Sequence, residues 1–403
     1  MIEDEKLVRA TPLADELAAG HIGRLRLLNN QGTNNGCIAL LRKDYARRGL
    51  GAPNDPVAHV VATLCDVPID TYLRQHTMLP FTAFACAEKL RTPNGSWIST
   101  VVTRSGLLTP RQGGYACPAC VAEDHATRTI SYWRRTHQLP SELWCNRHPS
   151  IALVHIDHPR PFEQLPGSWL ESEHAKPGQP SGALRESKFW LAFQDACQTM
   201  LQFGHNLPAR QVRCAISTAA IAAGLRTTSN GKRAVLSDLL LERAPLEVVK
   251  HVFPDLPSKT VGAYINAIDE AAHRHSDAPQ STATATAIAL LFKRASDALI
   301  AFQNVPPQAI APKLSITKAF LRLKGDVREI ARALGVSESD ARKRLQGMWR
   351  HIHANTGAER CAIELFALGT PLTVACEKHD ADRELVENLI RGRLRKGKTL
   401  TLA

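Results

Sequence analysis

The amino-acid sequence predicts a mainly α, multi-domain protein in which helix pairs with helix-turn-helix spacing flank one small inserted module. Three observations predict it. Apolar residues recur at i, i+3, i+4 and i+7 in several separate segments, whereas only WISTVVT at 97–103 and SIALVHI at 150–156 have the composition of strands. Four side chains able to bind metal stand at regular spacing in mid-chain, while the other cysteines are scattered. Breaks in composition also recur: ESEHAKPGQPSG at 171–182 reads as a linker, HSDAPQST as a separator, and NVPPQAIAP as a stop, since its prolines lack amide donors. These breaks divide the chain into 1–110, 111–160, 183–275, 283–310 and 311–403.

The first expected helix pair lies in DPVAHVVATLCDVPIDTYLRQHTMLPF. Val57, Val60, Val61 and Leu64 make one apolar stripe, Ile69, Tyr72, Leu73 and His76 the second, and Arg74 and Gln75 face outward. Next comes the central cluster, Cys117, Cys120, Cys145 and His148, with the spacing C-x2-C-x24-C-x2-H. Two residues between ligands let a tight turn present both to one tetrahedral ion, and two such knuckles fill the four-coordinate shell of structural zinc. No coordination position is left open, so the predicted cofactor is one structural Zn2+ ion that supports folding. Tyr132, Trp133, Leu139 and Trp144 are expected to cap it. Asp124, His125 and His137 have no comparable spacing. A weaker echo at Cys361, Cys376 and His379, with His353 as a fourth ligand, would make a second site, although the spacing is poor and helix packing or surface placement explains these residues better.

Downstream, APLEVVKHVFPDLPSKTVGAYINAID at 244–269 reads as a second helix pair, with Val261, Tyr264, Ile265 and Ile268 on the inner face of its second helix. TATAIALLFKRASDALIAF reads as one further helix. The third pair, GDVREIARALGVSESDARKRLQGMWR at 325–350, has the most specific pattern. Val327, Ile330, Ala331 and Leu334 form an inner stripe behind an Asp326/Glu329 capping box, Gly335 ends the helix, and Ser337 caps the next. Ala341, Leu345 and Met348 face inward on that second helix, leaving Ser339, Arg342, Lys343, Gln346 and Arg350 outward. Such side chains suit phosphates and base edges in a major groove. The tail IRGRLRKGK adds Arg391, Arg393, Arg395, Lys396 and Lys398, a positive arm for a phosphate backbone or simply a solvated end. The predicted fold class is therefore mainly α and multi-domain, with helix-turn-helix elements and an inserted small zinc-binding ribbon or knuckle module.

Composition narrows the function. With 403 residues, 44% of them hydrophobic, the chain can bury several cores. A formal net charge of +12 points to a polyanionic partner, above all double-stranded DNA, and from Ser315 onward 17 Lys and Arg stand against 11 Asp and Glu. The acidic start MIEDEKLVRATPLADELAAG lacks a basic n-region and an apolar core, and no window of 18 apolar residues occurs, so the sequence predicts no membrane association and a reduced, cytoplasmic, nucleoid-associated protein. GxxxxGK[ST], GxGxxG and HExxH motifs are all missing, and Asp66, Asp70 and Asp124 read as caps, turns and surface, so the expectation is a non-enzyme with no catalytic residues. Aromatic residues at 5% are too sparse for a single-strand stacking platform.

CPAC at 117–120, the acidic pair Glu123 and Asp124, YWR at 132–134, QLP at 138–140 and CNRH at 145–148 followed by IALV resemble the TniQ family, the transposon target-selection proteins that include TnsD. LLLERAPLEVVKHVFPDLPSKTVGAY is similar to the stretch that follows the zinc module in longer members. The sequence departs in THQLP, where an aromatic is usual near His137, and in Asn146, where proline is common. The resemblance implies a structural role for the four zinc ligands and no chemistry in the chain itself. It implies DNA target recognition and recruitment of an AAA+ ATPase, which licenses a separate transposase. An alternative is an adaptor joined to an RNA-guided effector complex, acting there as a homodimer. A zinc-containing transcription regulator is a third reading, from outside the family.

Overall fold

The computed structural model describes residues 7–87, 90, 92, 95–228, 233–273, 280–305, 327–334, 338, 341–342, 357–367 and 370–396. They belong to two compact units, Met1–Ile310 and Ala311–Ala403. The described part is mainly helical, with five short strands.

The first unit opens with four helices, α1 (Ala18–Leu28), α2 (Asn34–Arg47), α3 (Val57–Leu64) and α4 (Ile69–His76). Val60, Val61 and Leu64 of α3 and Tyr72 and Leu73 of α4 are buried with Ile22, Leu25 and Leu41, as the apolar stripes require. Ile69 departs from its stripe and is 38% exposed at the start of α4. His76 is buried instead through its ring, which meets the Glu16 carbonyl at 2.9 Å. The short helix α5 (Leu79–Thr82) and strand β1 (Ala85–Cys86) follow.

Residues 97–103 do not form the expected strand. From Ser99 they form helix α6 (Ser99–Ser105), because Ile98, Val101 and Val102 pack together against the α1–α4 core, while Trp97 just before the helix sits in a single β-bridge.

The central segment supplies β2 (Gly114–Ala116), α7 (Pro118–Arg128), β3 (Val154–Ile156), the single-turn helix α8 (Pro166–Leu170) and β4 (Ala175–Pro177). The expected linker at 171–182 thus contains a strand. β2, β3 and β4 form an antiparallel sheet in that order, with Tyr115 opposite His155 and His155 opposite Lys176.

The remaining helices of this unit are α9 (Lys188–Phe203), α10 (Ala209–Ala222), α11 (Leu236–Arg243), α12 (Leu246–Val252), α13 (Asn266–Asp269), α14 (Ser281–Leu291) and α15 (Ala295–Gln303). Strand β5 (Leu207–Pro208) pairs in parallel with β1. α14 is buried on nearly every side, and its run of Ala and Thr lets neighbouring helices approach closely. The stretch expected to be one helix over 284–302 breaks between α14 and α15. Phe292 adopts extended backbone there and packs edge-on against Phe302, which folds the chain back. The expected second helix of 244–269 also fails: Val261 is 84% exposed and Gly262 has φ +80°. Asp238 holds that loop, accepting from Lys259 Nζ and from the Gly262 amide at 3.1 Å.

The second unit contains α16 (Val327–Leu334), α17 (Gly357–Ala367), α18 (Leu372–His379) and α19 (Arg383–Lys396). Val327, Ile330, Ala331 and Ala341 share its core with Ile363, Phe366, Cys376, Val386 and Ile390.

Candidate metal centre

The residues that converge most tightly are the four of the central spacing. Cys117 caps the N-terminus of α7, Pro118 occupies a first-turn position where a missing amide costs nothing, and Cys120 follows one turn later. The second knuckle is a turn closed by Cys145 N donating to the Ile151 carbonyl at 3.0 Å and Ile151 N donating to the His148 carbonyl at 2.8 Å. Both pairs of ligands therefore sit on backbone that is already hydrogen-bonded.

The ligand atoms of Cys117, Cys120, Cys145 and His148 all lie within 4.8 Å of one another. Cys120 Sγ is 3.5 Å from Cys145 Sγ, and His148 Nδ1 is 3.6, 3.3 and 3.6 Å from the sulfurs of Cys117, Cys120 and Cys145. At ordinary zinc bond lengths a tetrahedron has edges of about 3.8 Å between two sulfurs and about 3.6 Å between sulfur and nitrogen. The donor set fits one zinc ion, and bound zinc would tie the two knuckles together. Without a metal the sulfurs share their protons unevenly. Hydrogen bonds from Cys117 and Cys120 pull the Cys145 thiol far down, while Cys117, Cys145 and burial push Cys120 far up. A divalent cation is the species that lets all three sulfurs be thiolates together.

Around the ligands lies a polar shell. Glu123 Oε1 is 2.7 Å from His148 Nε2, which fixes the tautomer that leaves Nδ1 free for metal, and Arg147 holds the other Glu123 oxygen at 2.8 Å. His137, buried, places Nε2 3.4 Å from Cys145 Sγ. Asp124 is not a surface cap: it is 1% exposed and makes a bidentate pair with buried Arg134, both contacts at 2.8 Å. Arg134 in turn lies over the Tyr132 ring. Spacing did not reveal His137. Glu123 and Asp124 were in reach, since they stand three and four residues after Cys120 on one face of α7.

The expected aromatic cap is built differently. Trp133 and Leu139 point away into the large helical core, where Trp133 packs edge-on to Phe162 and donates from Nε1 to the Gln164 carbonyl. Leu153, Tyr115, Ala119 and Ile151 are the apolar side chains beside the sulfurs.

Of the expected nucleic-acid contacts, Arg342 is exposed and 4.0 Å from Glu338, which also meets Arg328 at 3.5 Å. Ser339, Lys343, Gln346, Arg350 and Lys398 lie outside the described residues. Arg391, Arg393, Arg395 and Lys396 are on α19, with side chains outside the described set. Among the described residues no second group of metal-ligating side chains converges: Cys361 is exposed, Cys376 is in the core of the second unit, and His353 lies outside the described residues.

With this geometry in place, the chain was compared with known proteins. Residues 7–150 match the TniQ family. The match runs from the segment before α1 through both cysteine knuckles and is confined to that part of the chain. No curated protein matches the sequence. Among the described residues no helix is long and apolar enough to cross a membrane.

Proposed function

We propose that this protein is a non-catalytic, DNA-binding target-selection adaptor in DNA transposition, which recognises a target site and recruits an AAA+ ATPase and, through it, a transposase. The observation that carries this reading is the coincidence, within 7–150, of a TniQ match with a converged Cys3His cluster. In this reading the cluster holds one structural zinc ion, and the basic helix-turn-helix of the C-terminal domain at 311–403 supplies duplex contacts through Ser339, Arg342, Lys343, Gln346 and Arg350. The arm of Arg391, Arg393, Arg395, Lys396 and Lys398 follows the phosphate backbone.

The test is selection of bound sequences from a random duplex pool by the zinc-loaded full chain. A reproducible motif is expected, bound in preference to a scrambled duplex at physiological salt. In the double variant Arg342→Glu, Lys343→Glu affinity for that motif should fall by about tenfold or more with zinc content unchanged. Recovery of no motif would transfer target choice to a partner, leaving this chain to link an RNA-guided effector complex to the ATPase.

A further inference from the structure

The three sulfurs of the cluster do not have equivalent surroundings. His148 Nδ1 lies within 3.6 Å of each. Among the described residues two further side chains, neither of them a ligand, come within hydrogen-bonding reach of a sulfur: Arg147, with Nη1 4.0 Å from Cys120, and His137, with Nε2 3.4 Å from Cys145. Arg147 is exposed and its other terminal nitrogen is held by Glu123 at 2.8 Å, so its contact with Cys120 is long and solvated. His137 is different. It is 4% exposed and Cys145 1%, so water cannot take the place of the imidazole.

The ring is delivered by a turn built apart from the knuckles. His137 is the middle residue of the 3-10 turn Thr136–Gln138. Before it, the Arg135 amide donates to the Asp15 carbonyl at 2.7 Å and the Thr136 amide to Asp15 Oδ2 at 3.3 Å. After it, the fully buried Gln138 donates from Nε2 to the carbonyls of Tyr115 at 2.9 Å and Arg134 at 3.0 Å, and its Oε1 accepts from the Tyr115 amide at 3.1 Å. Both neighbours of His137 are thus fixed to β2 and to the segment before α1, and none of these bonds involves a ligand. The fold itself sets the imidazole against Cys145.

Chemistry fixes the direction of that contact. A thiolate has no proton to give, so a nitrogen beside it serves only as an N–H donor, which requires the proton on Nε2. Three thiolates and a neutral imidazole around a divalent ion leave one excess negative charge, and a buried charge is costly unless it is hydrogen-bonded. A donor that draws electron density from the sulfur also leaves less of it for attack on an electrophile.

We propose that His137 is a positioning residue of the metal centre, which donates its Nε2–H to the Cys145 thiolate and makes that sulfur a better-held ligand and a weaker nucleophile. The inference rests on the structural-zinc reading and extends it from the ligands to the group that keeps one of them inert.

The experiment compares the full-length wild type with His137→Gln, which retains an N–H donor of similar reach, and His137→Leu, which has none. Cobalt(II) is substituted for zinc to record the sulfur-to-metal charge-transfer band, and iodoacetamide alkylation of each cysteine in the zinc-loaded chain is followed by mass spectrometry. In His137→Leu the band should move to longer wavelength, Cys145 should be alkylated about tenfold faster, and zinc affinity should fall by about tenfold, with Cys117 within about twofold of its wild-type rate. His137→Gln should restore most of each loss. An unmoved band with equal acceleration at all three ligand cysteines would mean that His137 only packs, and would overturn the proposal. So would a wild-type alkylation rate at Cys145 in His137→Leu. If His137→Leu does not fold, the wild type decides: a long-range proton–nitrogen spectrum of the histidine rings, with His137 assigned by its loss in His137→Gln, must show Nε2 protonated, and a bare Nε2 sinks the idea. Zinc content of the wild type, measured first, reports separately on the metal reading. A chain without metal removes that reading and this one with it, whereas a loaded chain with a bare Nε2 removes this one alone.

Discussion

At the residue scale the metal centre separates ligands from the groups that aim them. Glu123 accepts from His148 Nε2 yet touches no sulfur, so Glu123→Gln should leave the fold intact and weaken zinc affinity by about tenfold. Competition with a chromophoric chelator reads this directly, and unchanged affinity would show that Glu123 has no part in orienting His148. A buried histidine elsewhere predicts a pH dependence. His21 is held between the Tyr72 hydroxyl at 3.0 Å and the Ala10 carbonyl at 2.8 Å, and burial lowers it from 6.5 to about 4, against the opposing pull of Glu16 and with small contributions from Arg24 and His76. Between those two values the unfolded chain takes up a proton that the folded chain refuses. Stability therefore rises with pH across this window and is lost as pH falls from about 6.5 to about 4, by at most about 3 kcal/mol. Urea titrations of wild type and His21→Gln should show the shallower slope in the variant; identical slopes would assign the acid sensitivity elsewhere. The convergence of Cys117, Cys120, Cys145 and His148 was legible because their spacing is the one a tetrahedral ion requires. Glu123 was legible in principle from helical periodicity, and His137 was not, since a single 3-10 turn at Thr136–Gln138, too short to leave a pattern, brings it to Cys145.

Element-scale packing decides what a helical glycine means. An alanine normally stabilises a helix relative to glycine by about 1 kcal/mol. Gly23 in the middle of α1 reverses that sign, because a Cβ there would lie 2.2 Å from the Phe162 carbonyl oxygen, a backbone atom that cannot rotate away. Gly23→Ala should therefore lower stability by about 1–3 kcal/mol, whereas Gly36→Ala in α2, whose Cβ would meet nothing closer than 3.4 Å, should be neutral or slightly stabilising. Thermal melts of the two variants decide it, and a stabilised Gly23→Ala would mean that the turn at 161–163 yields freely. The same distinction between local pattern and tertiary partner explains which elements the sequence revealed. α3 and α4 could be read because their apolar stripes face each other within a few residues of chain. The segment 97–103 could not: its β-branched composition favours a strand, and the packing of Ile98, Val101 and Val102 against the α1–α4 core makes most of it α6. Likewise Asp238, more than twenty residues upstream, holds the loop around Gly262 in place of the expected helix.

For the whole molecule, the module that carries the Cys3His cluster is not a detachable bead. Its strands and loop contribute Ala116, Trp133, Leu139, Val154 and Ile156 to the core that also holds Trp190, Phe193, Ile216, Ile288 and Phe302. Backbone hydrogen bonds add to this, with Leu17 N donating to the Trp133 carbonyl at 2.8 Å and Arg135 N to the Asp15 carbonyl at 2.7 Å. A metal ion held by Cys117, Cys120, Cys145 and His148 would therefore restrain elements contributed by residues 17 through 302. A metal bound only by the folded state stabilises by about 4 kcal/mol when free metal exceeds its dissociation constant a thousandfold, a large share of an ordinary domain's stability. Chelation of the full chain should consequently lower hydrogen-exchange protection in α9, α10 and α14 together with the zinc knuckles. α17, α18 and α19, whose core of Ile363, Phe366, Cys376, Val386 and Ile390 contains none of these residues, should keep theirs. If α9 and α14 stayed protected after the knuckles had opened, the metal would serve only its own loop, and the shared core would be held by helix packing alone.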